Sequence, residues 1–99
     1  MQNLSIRYQA VSALTPRLGN ARTHSAKQLR QIADSIRQFG FTNPVLVDAE
    51  NVIIAGHGRV AAAQAIGLET VPTVCLDSLS AAEIRAYVIA DNRLAENAG

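Results

Sequence analysis

The sequence has little of what disulfide-rich, cysteine-metal and membrane-spanning proteins depend on. Its 99 residues include one cysteine, Cys75, which excludes a disulfide framework and a metal site built from cysteines. No apolar run approaches the ~20 residues that a transmembrane helix needs, and no signal peptide is apparent. Cys75 lies in the apolar stretch VPTVCL, so we expect a buried thiol that packs as a small hydrophobic side chain. We therefore expect a cytoplasmic protein with no membrane partner.

Aromatic residues and net charge are also scarce. The chain has two Phe, two Tyr and no Trp, so aliphatic side chains must build the one modest core that this length allows. A net charge of +1 disfavours strong direct binding of nucleic acid. Basic residues nevertheless concentrate in residues 1–38, where Asp34 is the only acid, whereas residues 39–99 carry seven acids. This asymmetry indicates either solvated helix surfaces or a basic N-terminal edge that faces a polyanion.

The first half of the chain contains clear signals for secondary structure. Residues 4–14 alternate loosely and predict an entry strand, and residues 15–24 predict a loop. A helix is predicted from a Ser25 cap to a terminating Gly40, because apolar residues recur at i, i+3, i+4 and i+7. The segments PVLVD and VIIA, joined by a turn at DAEN, predict a hairpin.

The second half predicts a helix of about two turns closed by Gly67, then a buried strand at TVPTVCL. Ser80 and Glu83 have the spacing of a capping box and predict the start of another helix, with Ile84, Tyr87 and Val88 on one side. That helical pattern is unfinished at the last residue, so we expect a fragment of a longer chain.

The junction between VIIA and its following helix carries the most specific chemistry. Gly56, His57, Gly58 and Arg59 stand where a helix N-terminus offers free N–H groups to an anion. Glycine allows close approach, Arg59 suits forked contact with phosphate, and His57 can donate a hydrogen bond or act as an acid or base. The alternative is a tight turn that needs small residues, with Arg59 merely at the surface.

Better-known nucleotide motifs and catalytic sets are absent from the sequence. No Gly-Lys pair exists for a P-loop. Gly56, Gly58 and Ala61 match part of the dinucleotide fingerprint, but the following helix is too short and the preceding strand belongs to a hairpin. Neither a zinc-ligand pattern nor an activated serine is apparent, so the chain shows no complete catalytic set.

Three segments together resemble one known family. NARTHSAKQLRQIADSIRQFGFTNPVLVD, IIAGHGRVAAAQAIGLETVP and LSAAEIRAYVIADNRLAENAG occur in the order found in the ParB/sulfiredoxin-like N-terminal domain family. The resemblance implies a small α/β (α+β) domain over residues 1–99, with a mixed sheet and flanking helices. Within the family, the sequence is similar to the branch found ahead of DNA-modification methyltransferases and in phage or plasmid ParB-like proteins.

The resemblance also implies a site, because in ParB proteins this domain binds a nucleotide, CTP, and uses it to gate a clamp on DNA. The implied nucleotide-binding residues come from three boxes and a loop, and they are Thr42, Asn43, Pro44, Gly56, His57, Gly58, Arg59, Asn92, Arg93 and Arg22. Gly40 and Phe41 belong to the first box, and Asn20 and His24 share the loop with Arg22. Asp91 is the candidate ligand for Mg²⁺ or a ribose hydroxyl. The alternative for Asn92 and Arg93 is that they end a helix and meet solvent.

This sequence departs from the family pattern in the second box. His57 and Gly58 stand where ParB has an acid and an arginine, so the ParB set for hydrolysis is incomplete, while phosphate binding through Arg59 is retained. Sulfiredoxin would place its reactive cysteine at His57, so sulfiredoxin activity is excluded because it needs a thiolate there.

These implications lead to one main functional expectation and two alternatives. We expect a regulatory domain that binds CTP or ATP. DNA would be contacted through a neighbouring methyltransferase or DNA-binding domain, and the domain could form a homodimer. The first alternative is a nucleotide hydrolase, phosphotransferase or nuclease, with His57 as acid or base and Asp91 as metal ligand. The second is a protein-interaction domain that has lost its ligand.

Overall fold

The computed structural model describes residues 5–17 and 24–97, with side chains described up to Asp91. The elements, in chain order, are β1 (Ile6–Ala10), a 3₁₀ turn (Val11–Ala13), α1 (Ala26–Phe39), β2 (Val45–Val47), β3 (Ile53–Ala55), α2 (His57–Ala65), β4 (Thr70–Cys75) and α3 (Ala81–Asn97). The described strands form a mixed sheet of order β1-β4-β2-β3, in which β4 and β2 are parallel and the other pairs are antiparallel. The expected mixed sheet with flanking helices is confirmed.

Helix α1 begins and ends where its sequence predicts. Ser25 and Gln28 form a reciprocal capping box: the Gln28 amide donates to Ser25 Oγ at 3.1 Å, and the Ser25 amide donates to Gln28 Oε1 at 2.9 Å. At the other end, the Gly40 amide donates to the Ile36 carbonyl at 2.8 Å, with Gly40 at φ +76°. The predicted Ser80–Glu83 box at the start of α3 is confirmed by the same pair of bonds.

The sheet separates two apolar clusters because adjacent strand residues point to opposite faces. One cluster includes Val45, Val47 and Val71, and it packs against α2 through Val60 and Ala63. The other cluster lies on the α3 side, and its members are Ile54, Val74, Leu76 and Ile84, with Leu46, Leu79 and Val88 packed against them. Both clusters are almost wholly aliphatic, as the composition requires.

Two expectations need correction. The entry strand is shorter than residues 4–14, because a 3₁₀ turn at Val11–Ala13 follows β1. Cys75 is exposed, not buried: it is the last residue of β4 and belongs to neither core cluster, although its neighbours Val74 and Leu76 belong to one of them. The pKa of its thiol is raised by desolvation and by the nearby Asp77 carboxylate, which opposes formation of a reactive thiolate.

Candidate functional site

The strand-to-helix junction is held in one conformation by close packing. Gly56 caps α2 in the left-handed region, with φ +106° and ψ +18°. A Cβ on Gly56 would lie 3.3 Å from the Val45 Cα, so the strand next to it leaves little room for a side chain. A Cβ on Gly58 would lie 2.7 Å from His24 Nε2, which places that imidazole directly against the helix start. Close packing therefore explains both glycines, and the left-handed backbone is a second reason for glycine at position 56 alone.

The first intrahelical hydrogen bond of α2 is made by Val60, whose amide donates to the Gly56 carbonyl at 3.0 Å. The amides of His57, Gly58 and Arg59 precede that bond and belong to the first turn, which has no intrahelical acceptors. Gly56 makes no side-chain cap because it has no side chain. Among the described residues, no carboxylate or hydroxyl caps this helix start, which offers donors and a positive dipole end.

His57 is turned toward the preceding loop. Its Nε2 accepts a hydrogen bond from the Arg17 backbone amide at 3.2 Å, which requires the tautomer with a proton on Nδ1. Desolvation lowers the pKa of His57, and the positive charges of Arg17 and His24 lower it further. The imidazole is therefore neutral at pH 7 and works here as a hydrogen-bond acceptor for the loop.

Arg17 and Asp48 form an ion pair next to this contact, and the sequence did not predict it. Arg17 donates from Nε to the Ile53 carbonyl at 3.0 Å and from Nη2 to Asp48 Oδ2 at 3.0 Å. Asp48 Oδ1 also accepts from the Glu50 and Val52 amides, at 2.9 and 3.0 Å. Partial burial acts to raise the pKa of Asp48, but these amides and the Arg17 guanidinium outweigh it and hold the pKa below 3.8. The only sequence signals for this pair were that Asp48 begins the predicted turn and that Arg17 follows Pro16.

Arg59 lies on the wall shared by two clefts. The first, which we call the α1 cleft, has a volume of about 380 Å³. From α1 it is lined by Gln28, Gln31, Ile32, Ser35 and Ile36. The rest of its lining is His24, Gly40, Phe41, Thr42, Asn43 and Arg59. It therefore gathers the whole first box except Pro44.

The second cleft, which we call the α3 cleft, has a volume of about 320 Å³. It lies between the sheet and α3, and its lining residues are Asn43, Pro44, Leu46, Ala55, Arg59, Tyr87 and Asp91. Desolvation and the neighbouring Asp91 carboxylate raise the pKa of Tyr87, so its hydroxyl stays protonated at neutral pH. Asn43 and Arg59 belong to both clefts, which makes them the meeting point of the two cavities.

Arg59 makes no side-chain hydrogen bond or ion pair within the part of the chain that the structure describes. Both ion pairs found there use other arginines: Arg17 with Asp48, and Arg37 with Asp34. A half-buried guanidinium at the junction of two cavities, without a protein partner, is available to an anionic ligand.

The structure thus brings together several of the residues expected at the site. Thr42, Asn43, Pro44, Arg59 and Asp91 line one or both clefts. Asn92 and Arg93 continue α3 beyond Asp91, but their side chains lie outside the described residues, as do Asn20 and Arg22. Among the described residues, no group of three or more acid, histidine or cysteine side chains could hold a metal ion.

Sequence reasoning missed the polar residues that α1 contributes. Gln28, Gln31 and Ser35 line the α1 cleft together with Ile32 and Ile36, which belong to the apolar stripe of the same helix. Their spacing of three and four residues is that of one helix face, so the pattern held a usable signal. The apolar residues of α1 identified the helix, and the three polar residues beside them were not recognised as part of a cleft.

Comparison with known proteins identifies the family. The ParB N-terminal domain matches residues 2–92. This chain belongs to that family. It is 48% identical over 79 residues to the ParB-like nuclease domain-containing protein YnaK of Escherichia coli, covering 80% of this chain and 91% of YnaK. It is 37% identical over 79 residues to the probable chromosome 2-partitioning protein ParB of Deinococcus radiodurans, covering 77% of this chain and 27% of that protein.

Solved structures show the same fold. The truncated ParB of Caulobacter crescentus complexed with CTP-γ-S has a TM-score of 0.78 and 29% identity, covering 89% of this chain and 52% of that one. Arabidopsis thaliana sulfiredoxin has a TM-score of 0.69 at 22% identity, covering 85% of this chain and 97% of its own, which shows a shared fold alone. This ParB-like domain is thus related to chromosome-partitioning proteins, and it spans about half of the crystallised Caulobacter chain. None of its described helices is long and apolar enough to span a membrane.

Proposed function

We propose that this ParB-like domain binds a nucleoside triphosphate, CTP or ATP, with the phosphates at Arg59. The observation that carries the proposal is the position of Arg59, whose guanidinium has no protein partner in the described structure and stands between two clefts at the start of α2. Free amides at the helix N-terminus and the forked guanidinium both favour phosphate oxygens. Binding would serve regulation, because the described residues contain no complete catalytic set.

The relatives support the nucleotide and suggest the wider setting. The Caulobacter ParB with 29% identity is complexed with CTP-γ-S, and the same protein complexed to the centromeric parS site matches with a TM-score of 0.72. We propose that this domain likewise acts in a DNA-associated protein, with DNA contacted by neighbouring domains. The expected methyltransferase neighbour, phage origin and homodimer stay predictions.

Asp91 is the residue that would hold Mg²⁺. It lines the α3 cleft together with Arg59, and Mg²⁺ commonly binds one or two carboxylates, with substrate phosphates and water completing its shell. One carboxylate beside a phosphate site fits that pattern, whereas a site made by protein side chains alone does not fit the described residues. We therefore propose that Mg²⁺ enters with the nucleotide.

The enzymatic alternative is less well supported by the geometry of His57. A general base needs a free ring nitrogen near the ligand, but Nε2 of His57 already accepts from the Arg17 amide. This bond favours a structural role for His57. Turnover of nucleotide that stops in the His57→Ala variant would restore the hydrolase alternative.

The first test is titration calorimetry with CTP, ATP and GTP, with and without Mg²⁺, on three proteins. We expect the unaltered chain to bind CTP or ATP, and Arg59→Ala to lose at least tenfold in affinity, since a charged hydrogen bond contributes about 1.5–3 kcal/mol. The matched control is Arg30→Ala, because Arg30 is exposed on α1 and lines neither cleft.

Two outcomes would contradict the proposal. Equal losses in the Arg30 and Arg59 variants would mean that the nucleotide binds by general charge attraction. No binding of any nucleotide to the unaltered chain would favour a protein-interaction domain that has lost its ligand.

A further inference from the structure

The two edges of the sheet differ in how they end. The β3 edge is covered by the chain itself, since the Ile53 amide donates to the Thr15 carbonyl at 2.9 Å and the Thr15 amide donates to the Asn51 carbonyl at 3.0 Å. Arg17 Nε also donates to the Ile53 carbonyl, at 3.0 Å. Strand β1 forms the other edge, and none of the described residues pairs with its outer side. Such an edge offers amides and carbonyls to another strand.

The pairing with β4 determines which backbone groups of β1 point outward. The Val11 amide donates to the Glu69 carbonyl at 2.9 Å, so in this register the odd-numbered residues of β1 form the hydrogen-bonded pairs with β4. Tyr8 accordingly lies opposite Pro72, which has no amide N–H to donate. The residues whose amides and carbonyls face the open edge are Ile6, Tyr8 and Ala10.

This open edge is apolar and lacks the usual protection. The residues Ile6 and Tyr8 are 62% and 69% exposed, and Ile6 pairs with Val74, which places both on the sheet face that carries α3. Among the strands, α3 packs chiefly on β3, at the far edge of that face. Edge strands are commonly protected by proline, a bulge or several charges. Strand β1 has an unbroken register, no proline and one charged residue, Arg7.

The occupant that fits this edge is β1 of a second copy. Antiparallel pairing about a two-fold axis perpendicular to the sheet keeps the exposed side chains of both copies on one face. When Tyr8 lies opposite Tyr8 of the second copy, Ile6 lies opposite Ala10. All the outward-facing amides and carbonyls of both strands then find partners.

The same register also suits the polar side chains of β1. Arg7 lies opposite Gln9 of the second copy, whereas a shift by one pair would place Arg7 opposite Arg7, and like charges directly opposite are destabilising. Arg7 makes no ion pair among the described residues. Gln9 donates from Nε2 to Thr73 Oγ1 at 2.9 Å, which leaves its Oε1 as an acceptor for the guanidinium.

We propose that two copies of this chain pair through antiparallel β1 strands, with Tyr8 at the two-fold axis, and so join two four-stranded sheets into one. No residue of β1 lines either cleft, so this pairing neither requires nor blocks the nucleotide of the proposed function. Paired strands of five residues bury less than the ~1,200 Å² at the low end of stable interfaces. The dimer is therefore weak and forms at high protein concentration.

The first test is sedimentation velocity of the intact chain over a series of protein concentrations, with amide hydrogen exchange at the lowest and the highest. We expect an equilibrium between monomer and dimer. At the highest concentration the amides of Ile6, Tyr8 and Ala10 should gain protection, whereas those of Arg7 and Gln9, already bonded to β4, should change little. The alternation in protection measures the pairing of β1 directly.

Two variants of Tyr8 separate its backbone from its side chain. Tyr8→Pro removes an amide that points outward, so no bond to β4 is lost. We expect it to raise the dissociation constant of the dimer by roughly tenfold or more, because each copy loses a hydrogen bond at the axis. Tyr8→Ser removes the ring alone and should weaken the dimer less. The matched control is Phe39→Ser, since Phe39 on α1 is 66% exposed and lines neither cleft.

Three outcomes would overturn the proposal. They are a chain that stays monomeric at every concentration, a dimer that Tyr8→Pro leaves as stable as before, and a dimer that Phe39→Ser weakens as much as Tyr8→Ser does. The last would indicate non-specific apolar association. Circular dichroism shows whether Tyr8→Pro folds. If it does not, the exchange of the unaltered chain decides, and protection gained without the alternation along β1 contradicts the pairing.

Discussion

At the scale of single residues, His57 shows how tertiary contacts assign a role to a reactive side chain. Between two glycines at a helix start, the sequence offers an acid, a base or a phosphate ligand. The fold commits Nε2 to the Arg17 amide and surrounds the ring with cationic neighbours, so the neutral form is favoured. The neutral ring holds the backbone at Arg17, the last residue described after β1 and the 3₁₀ turn.

This environment predicts a pH dependence of stability. The pKa of His57 in the folded state lies below the 6.5 of the unfolded chain, so the unfolded state binds more protons between those two values. The free energy of unfolding should therefore fall as the pH drops below about 6.5. Urea denaturation at pH 7.5, 6 and 5 measures it.

The matched variant is His57→Gln, which removes this titration and should flatten the profile over the same range. Asp48 does not interfere, because its pKa lies below 3.8 and its contribution is lost only in stronger acid. Stability that stays constant or rises on acidification of the unaltered chain would refute this account.

At the scale of elements, local sequence signals located the helices and strands well. Ser25 and Gly40 bound α1 because caps and left-handed termini are satisfied by residues adjacent in the chain. The hairpin of β2 and β3 follows from the Asp48 turn for the same reason. Cys75 was misplaced because successive residues of an extended chain point in opposite directions: its neighbours Val74 and Leu76 belong to a core cluster and Cys75 does not, which an apolar run alone cannot reveal.

The junction of β3 and α2 allows a test at this scale. Gly56→Ala should destabilise the fold by about 1–3 kcal/mol, because alanine is strained at φ +106° and its Cβ would press on Val45. Gly67→Ala is the matched control, since Gly67 has φ +80° but nothing within 4 Å of an added Cβ. We expect it to cost less in chemical denaturation. Equal losses would show that the Val45 contact carries no weight.

At the scale of the whole molecule, the two clefts exist because helices cover opposite faces of one sheet. α2 packs on one face with α1 against it, α3 packs on the other face, and the two clefts meet at Asn43 and Arg59. Asn43 precedes β2 and Arg59 lies in the first turn of α2, so the hairpin of β2 and β3 brings them together. The strand order β1-β4-β2-β3, with β4 between the edge strand and the hairpin, sets this geometry.

A ligand that binds only this assembled site should stabilise the entire fold. At a free nucleotide concentration of 100 times its dissociation constant, the free energy of unfolding should rise by about 2.7 kcal/mol. Thermal or urea unfolding with and without CTP or ATP measures the effect. In the Arg59→Ala variant, a tenfold or greater loss of affinity should reduce the rise at that same concentration to about 1.4 kcal/mol or less, and an equal rise would place the ligand elsewhere.

The sequence alone determined the family, the element order and the strand-to-helix turn at the glycine-rich junction. These depend on caps, turns and short-range periodicity, which are interactions between residues close in the chain. Tertiary structure alone decided that Arg17 pairs with Asp48 and that Gln31 faces the same cavity as Arg59. Those relations depend on sheet order and helix packing, which bring distant segments together through contacts that no local pattern encodes.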